Sequence, residues 1–180
     1  MSILVNSGRI FLAFAASGSA SAAPADPSAR FAAEALRICI DTRAAAASVR
    51  QLAAAERWTP IDSKSLPGES SITMGDQKLR RNVTYYPSDV WTFDRDGLAL
   101  TVLVYDIPDR PKVKHCEVMA WDLDSAAVDR ALKSDPRVKG GFFERPGLPF
   151  RRYDVKKPRT IFRYGSGAKD SRTLHVLSAG

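Results

Sequence analysis

The sequence of 180 residues carries a net charge of +7, and a chain of this length is large enough to bury one hydrophobic core of its own. After residue 22 it contains no internal repeats and no low-complexity tract, which excludes repeat architectures. Beyond the N-terminal segment no stretch is long and apolar enough to span a bilayer as a helix.

Residues 1–22 have the features of a secretory signal peptide. A single cation, Arg9, precedes the apolar run Ile10–Ala16, and small residues follow it. This order predicts cleavage after Ala22 or Ala23, and the apolar run is too short for a membrane anchor. We therefore expect residues 23–180 to form one exported domain, periplasmic or secreted, and the Ala-, Arg- and Asp-rich composition favours a bacterial source.

The chain has two cysteines, Cys39 and Cys116. In an exported protein two cysteines most simply pair with each other, so the sequence predicts one disulfide closing a loop of 77 residues. The lost entropy of the unfolded chain would stabilise the fold by about 4.5 kcal/mol for such a loop. The alternative, a reactive thiol or a metal ligand, is disfavoured because neither cysteine has a second cysteine nearby.

The segment after the signal has a helical pattern. Asp26 is a suitable N-cap, Pro27 suits the first helical position, and no further Pro or Gly occurs up to Arg57. Apolar or small residues recur on one helical face at Phe31, Ala35, Ile38, Thr42, Ala45, Val49 and Leu52. The pattern predicts one long helix, or two that are separated near Asp41–Thr42. Arginines on the opposite face suit either a solvated surface or a helix lying on a membrane.

Three sequential antiparallel strands are predicted between Val90 and Trp121. The apolar runs Val90–Phe93 and Leu98–Ile107 flank Asp94–Gly97, a hairpin signal in which Gly97 can adopt a positive φ. A second turn leads into the third run, Val113–Trp121. Cys116 lies on the small, apolar face of this run, so a bond to Cys39 would bring that face against the helix and bury Ile38 beside the bridge.

The other segments are shorter. Residues 59–76 are predicted as loop because they are rich in Pro, Gly and Ser, and a strand is predicted over Lys78–Tyr86. A second helix should run from the N-cap Asp124 to about Ser134, followed by a loop. Three terminal strands are predicted at Phe150–Val155, Thr160–Tyr164 and Thr173–Leu177, with Gly165–Gly167 in a turn.

These elements predict an α+β fold with one disulfide. An N-terminal helix, continuous or divided, packs on an antiparallel sheet, a short helix follows the third core strand, and a β-region ends the chain.

Histidine is scarce: His115 and His175 are the only two, both on predicted strands. A zinc site would need ligands such as His115, Glu117 and His175 to converge, and strand histidines with an ordinary hydrogen-bond partner are the commoner outcome. We therefore predict no metal and no cofactor. A small periplasmic hydrolase that uses His115 or His175 with nearby carboxylates is the alternative function, although no Gly-x-Ser-x-Gly nucleophile turn accompanies the histidines.

Positive charge is concentrated near the C-terminus. Residues 130–180 carry 13 Lys+Arg against 4 Asp+Glu, a net charge of +9, whereas residues 23–129 have a net charge of −3. Seven cations fall within nineteen positions, here called the cationic segment: Arg145, Arg151, Arg152, Lys156, Lys157, Arg159 and Arg163. Four aromatic residues are interleaved with them: Phe150, Tyr153, Phe162 and Tyr164.

Cations and aromatic rings on one sheet face are typical of single-stranded nucleic-acid binding, but export argues against nucleic acid as the partner. An anionic envelope polymer or lipid head groups would satisfy the same electrostatics. The sequence therefore predicts a non-enzymatic exported protein that binds an anionic envelope partner through the cationic segment. Two alternatives stay open: the cations protect an edge strand from aggregation, or the protein is an interaction or inhibitor module that uses Phe142–Phe143.

Overall fold

The computed structural model describes residues 26–63, 66, 72–76, 81–107, 114–139, 150–155, 160–169 and 172–179. Within these ranges the chain forms three α-helices, an antiparallel sheet of eight strands and a separate two-stranded sheet. The predicted α+β class with an antiparallel sheet is confirmed, and the sheet is its dominant element.

The N-terminal helical region is divided. Its parts are α1 (Pro27–Ala35), a wider π-helical segment (Leu36–Asp41) and α2 (Ala46–Ala55). Helix α1 begins after Asp26, whose carboxylate accepts a 3.1 Å hydrogen bond from the Ser28 N–H. Between the two helices Arg43 and Ala44 have φ values of 56° and 52°, which an α-helix cannot contain. Of the two predicted alternatives, the divided helix is correct.

The ten strands are β1 (Thr59–Pro60), β2 (Ile72–Asp76), β3 (Arg81–Tyr85), β4 (Asp89–Arg95), β5 (Leu98–Tyr105), β6 (His115–Trp121), β7 (Val138–Lys139), β8 (Phe150–Val155), β9 (Thr160–Lys169) and β10 (Arg172–Ala179). The large sheet has the order β1-β4-β5-β6-β10-β9-β8-β7, and β2 pairs with β3. Helix α3 (Ser125–Ser134) connects β6, near the centre of the sheet, to β7 at its edge.

The hairpin between β4 and β5 has the predicted turn. Asp96 and Gly97 occupy its tip with φ values of 52° and 83°. The Gly97 N–H donates a 2.7 Å hydrogen bond to the Asp94 carboxylate, which closes the turn. Two consecutive positive φ values match the right-handed twist of paired strands, which explains why Asp and Gly stand here.

The helix face of the large sheet carries the larger apolar cluster, which combines residues of the helices with inward-facing strand residues. Cys39, in the π-helical segment, is bonded to Cys116 on β6, so the predicted disulfide is confirmed. Both cysteines and Ile38 are completely buried. The opposite face of the large sheet, here called the second face, carries a smaller apolar cluster over β4, β5 and β6, which includes Leu66 and Tyr105.

Part of the region predicted as loop is strand. Residues 59–76 contain β1, which pairs with β4, and β2, which pairs with β3. The partner of β1 lies well beyond this Pro- and Ser-rich segment, and the partner of β2 is the next strand in the chain; in both cases cross-strand hydrogen bonds override the local turn preference. The strand predicted from Lys78 is described only from Arg81 onward.

The C-terminal strands differ from the prediction in one respect. Gly165–Gly167 was expected to form a turn, and it lies inside β9 instead. Gly165 is paired with Phe150 of β8 on one side and with Val176 of β10 on the other. Gly167 is paired with Leu174 of β10, so pairing with neighbouring strands holds both flexible glycines in an extended conformation. Phe142–Phe143 lies outside the described residues.

Candidate functional site

The structure describes the cationic segment in part. Arg145, Lys156, Lys157 and Arg159 lie outside the described residues, and of Arg151 only the backbone, in β8, is described. Arg152 on β8 and Arg163 on β9 are described in full, and both are exposed. These two arginines are therefore the described part of the predicted site.

Arg152 and Arg163 are direct cross-strand partners. Cβ atoms of directly opposite residues in an antiparallel pair lie about 5 Å apart, and two like charges at that spacing destabilise the sheet. Asp154 offsets part of the repulsion: its Oδ1 lies 3.7 Å from Arg152 Nη2, and both side chains are about half exposed. The arrangement thus concentrates positive charge at one place on the second face.

Ile161 is the neighbour of this arginine pair on the same face. It pairs directly with Asp154, lies two residues before Arg163 on β9, and has 39% of its surface exposed. Strand alternation, with Phe162 and Tyr164 buried in the helix-face cluster, confirms that Ile161 and Arg163 point away from the helices.

Three of the four interleaved aromatic residues do not accompany the cations on this surface, and the side chain of the fourth, Phe150, lies outside the described ones. Tyr153, Phe162 and Tyr164 are at most 2% exposed and lie in the helix-face cluster. The rings of Tyr153 and Phe162 stack with centroids 4.8 Å apart, and the Tyr153 hydroxyl donates to Asp129 of α3. These three rings are core residues, so they cannot stack on bases, and they do not share one surface with Arg152 and Arg163.

His115 forms a polar cluster with Glu117 and Tyr105 on the second face. Its Nε2 lies 2.9 Å from Glu117 Oε1, and the Tyr105 hydroxyl donates to Glu117 Oε2 at 3.4 Å. The Tyr105 and His115 rings meet edge to face at 5.1 Å. Burial, reinforced by the Glu117 carboxylate, raises the pKa of Tyr105 well above its usual value. Tyr105 therefore stays a neutral donor, and the cluster holds an oriented histidine.

The second histidine lies elsewhere. Strand β10 does run beside β6, but the register places His175 opposite Ala120, five residues along β6 from His115. Five residues of strand span about 17 Å, so the two histidine backbones do not converge. In the part of the chain that the structure describes, no group of three or more His, Cys, Asp or Glu side chains could hold a metal ion.

Sequence reasoning missed Tyr105 and the pairing of Arg152 with Arg163. Tyr105 pairs with His115 across a connection that fixes no register, whereas the predicted strand ends Val155 and Thr160 already imply that Arg152 lies opposite Arg163, a consequence that sequence reasoning did not draw. Strand alternation by itself places Arg152 and Asp154 on the face opposite to Tyr153 and Val155, and the structure agrees, with the first two exposed and the other two buried.

Comparison of the chain with protein-family models, curated proteins and solved structures found no match. Among the described helices, none combines the length and the apolar composition needed to cross a membrane.

Proposed function

We propose that this chain is an exported, non-enzymatic protein that binds an anionic partner of the cell envelope through the surface around Arg152 and Arg163. The observation that carries the proposal is the direct opposition of these two arginines on neighbouring strands. An anion bound by both guanidinium groups would screen their mutual repulsion and add its own attraction to each of them.

The chemistry of the two side chains fits phosphate or carboxylate groups. A guanidinium presents a planar fork of donors that can bind such groups through two parallel hydrogen bonds. Asp154 competes for Arg152, but its 3.7 Å contact is long and solvent-exposed, and such ion pairs contribute little. The net charge of +9 in residues 130–180 adds a long-range attraction for the same partners.

Export is part of the proposal. The signal-like composition of residues 1–22 and the buried Cys39–Cys116 disulfide are its two supports, since disulfides persist in oxidising compartments. The chain expressed with its N-terminal segment in a Gram-negative bacterium should be recovered from the periplasm with residue 23 or 24 at its N-terminus. Recovery of the uncleaved chain from the cytoplasm would contradict export.

A salt titration against soluble polyphosphate tests the binding site. For the oxidised wild-type protein, the logarithm of the binding constant should fall linearly with the logarithm of the salt concentration. The double variant Arg152→Gln/Arg163→Gln should bind more weakly, with a salt slope smaller by about two, because each phosphate contact contributes about one.

A control variant removes the same charge elsewhere. Arg130 on α3 and Lys114 before β6 are both exposed, so Arg130→Gln/Lys114→Gln lowers the net charge by the same amount. This variant should keep the wild-type affinity to within a few-fold. If the two double variants lost affinity for polyphosphate equally, net charge and not a specific site would govern binding. Binding that does not depend on salt would refute the electrostatic mechanism.

One observation favours a second candidate, a small hydrolase: the 2.9 Å contact of His115 Nε2 with Glu117 Oε1 orients the imidazole as a general base requires. In such an enzyme His115→Gln should lower turnover of a simple ester by about 100-fold or more, and His175→Gln should leave it unchanged. Turnover that is equal in wild type and His115→Gln would eliminate this candidate.

A further inference from the structure

We infer that the anionic partner is a lipid surface: the second face at β8 and β9 docks on the head groups of an anionic bilayer, with Ile161 entering the interface. This inference rests on the proposed function, because it uses the same arginines, and it names the partner that the proposed function leaves general.

Charge complementarity is the first step of the argument. On this face of β8, β9 and β10, the described charged side chains are Arg152, Arg163 and Asp154, so positive charge is in excess. The next carboxylate across the sheet is Glu117 on β6, and it is already engaged by His115 and Tyr105. A negatively charged plane would thus meet two guanidinium groups and one half-exposed carboxylate.

An exposed apolar side chain, Ile161, lies beside the arginine pair and favours a lipid partner. Ile161 is 39% exposed directly beside the arginine pair, and it is one of two large apolar side chains that stay exposed among the described residues. A hydrated polymer of sugars and phosphates gains nothing from contact with an isoleucine, whereas a bilayer interface gains from every buried methylene. Cations with an adjoining apolar side chain are the combination that interfacial binding uses.

The shape of the surface is the third step. Arg152, Asp154, Ile161 and Arg163 stand on two adjacent paired strands, so their Cα atoms lie in one sheet surface. All four can therefore approach a flat bilayer together, with the arginines at the phosphate level and the isoleucine between the head groups.

The experiment compares three probes: vesicles of phosphatidylcholine mixed with phosphatidylglycerol, vesicles of phosphatidylcholine alone, and soluble polyphosphate. Co-sedimentation of the oxidised protein should show binding to the mixed vesicles and none to the neutral ones. Arg152→Gln and Arg163→Gln should each weaken vesicle binding by about fivefold, the effect expected for one arginine near an anionic surface.

Ile161→Thr is the discriminating variant, because threonine keeps the β-branched shape that strands favour and removes apolar surface. It should weaken binding to mixed vesicles several-fold and leave polyphosphate binding unchanged. Tyr86→Ser is the matched control. Tyr86 is 63% exposed and lies between β3 and β4, and β5, β6 and β10 separate β4 from β9, so its loss should not affect binding to either probe. Thermal unfolding of each variant shows that the fold is retained.

The outcomes separate the inference from the proposed function. Polyphosphate binding that depends on Arg152 and Arg163, without vesicle binding, would overturn the lipid inference and leave the proposed function standing. Vesicle binding that is equal in wild type and Ile161→Thr would overturn the insertion of Ile161, and with it the preference for a bilayer over a polymer. Failure to bind either anionic probe at low salt would overturn both.

Discussion

The burial of Tyr105 makes the stability of the folded protein depend on pH. Its side chain is 2% exposed, and its hydroxyl donates to the carboxylate of Glu117, which also contacts His115. Burial and the neighbouring negative charge both oppose ionisation, so the pKa of Tyr105 is raised in the folded protein. The unfolded chain has no such constraint, and a tyrosine there ionises near pH 10.

The sign of the effect follows from proton binding. Above about pH 10 the unfolded chain loses a proton that folded Tyr105 keeps, so stability falls as pH rises, by up to about 1.4 kcal/mol per pH unit.

The variant Tyr105→Phe should be about 1 kcal/mol less stable than wild type at neutral pH, because Glu117 loses a hydrogen-bond donor. Between about pH 10 and 12 the variant should lose less stability than wild type does. Urea unfolding at several pH values measures this, with the exposed Tyr86→Phe as control. An alkaline slope equal to that of wild type would show that Tyr105 ionises normally.

Ile38 is the residue on which the helix-face core can be tested. It is completely buried beside Cys39 in the larger cluster. Ile38→Ala should cost about 2–5 kcal/mol, because it removes buried methyl groups and leaves a cavity. Thermal or urea unfolding measures the loss, and Gln51→Ala on the exposed side of α2 should stay within about 0.5 kcal/mol of wild type. An unchanged melting temperature for Ile38→Ala would contradict its burial.

At the scale of elements, helix α1 and the β4–β5 hairpin are joined by a ring of ion pairs. Arg37 contacts Glu34 and Glu56, and Arg95 of β4 contacts the same two carboxylates. Burial alone would raise the pKa of Glu56, but hydrogen bonds from Arg37, Trp58 and Arg95 outweigh it and lower the pKa. The stability that Glu56 contributes is therefore present above its unfolded value, near 4.3, and is lost as pH falls below it.

The disulfide joins the π-helical segment to β6 and closes a loop of 77 residues. Its reduction should lower the free energy of unfolding by about 4.5 kcal/mol if the gain comes from the unfolded chain alone. Guanidinium unfolding of the oxidised and reduced protein measures the difference. The variant Cys39→Ala/Cys116→Ala should resemble the reduced protein, and equal midpoints for oxidised and reduced chains would contradict the prediction.

For the whole molecule, the decisive feature is the position of β10. This strand lies between β6 and β9 and pairs antiparallel with both, so it joins the β4–β5–β6 meander to the C-terminal strands. Leu177 and Ala179 of β10 are buried in the helix-face cluster. The C-terminal strands are thus an integral part of the main sheet.

A truncation tests this architecture. A chain that ends at Ser171 lacks β10, which would leave β6 and β9 with unpaired edges and uncover apolar core. We expect it to show no cooperative thermal transition and to aggregate, whereas removal of Gly180 alone should shift the melting temperature little. Circular dichroism during heating measures both. A cooperative transition in the truncated chain would show that the β4–β5–β6 meander folds with the helices independently.

The sequence by itself determined the features that depend on local chemistry. Asp26 and Asp124 cap their helices as predicted, and Asp94–Gly97 forms the hairpin turn because these residues satisfy backbone groups or adopt positive φ within a few positions. The disulfide was predictable because two cysteines allow only one pairing. Alternation also assigned Arg152 and Tyr153 to opposite faces of one strand.

Only the tertiary structure decided which residues face each other across strands. The opposition of Arg152 and Arg163, the contact of Tyr105 with Glu117, and the extended conformation of Gly165–Gly167 all require a register. Periodicity identifies the face on which a side chain lies but not its partner, and a partner follows only where the facing ends of both strands are known, as for the strand that ends at Val155 and the one that begins at Thr160. Pairing between distant segments is a property of the folded sheet, so the candidate site became specific only when its strands were placed side by side.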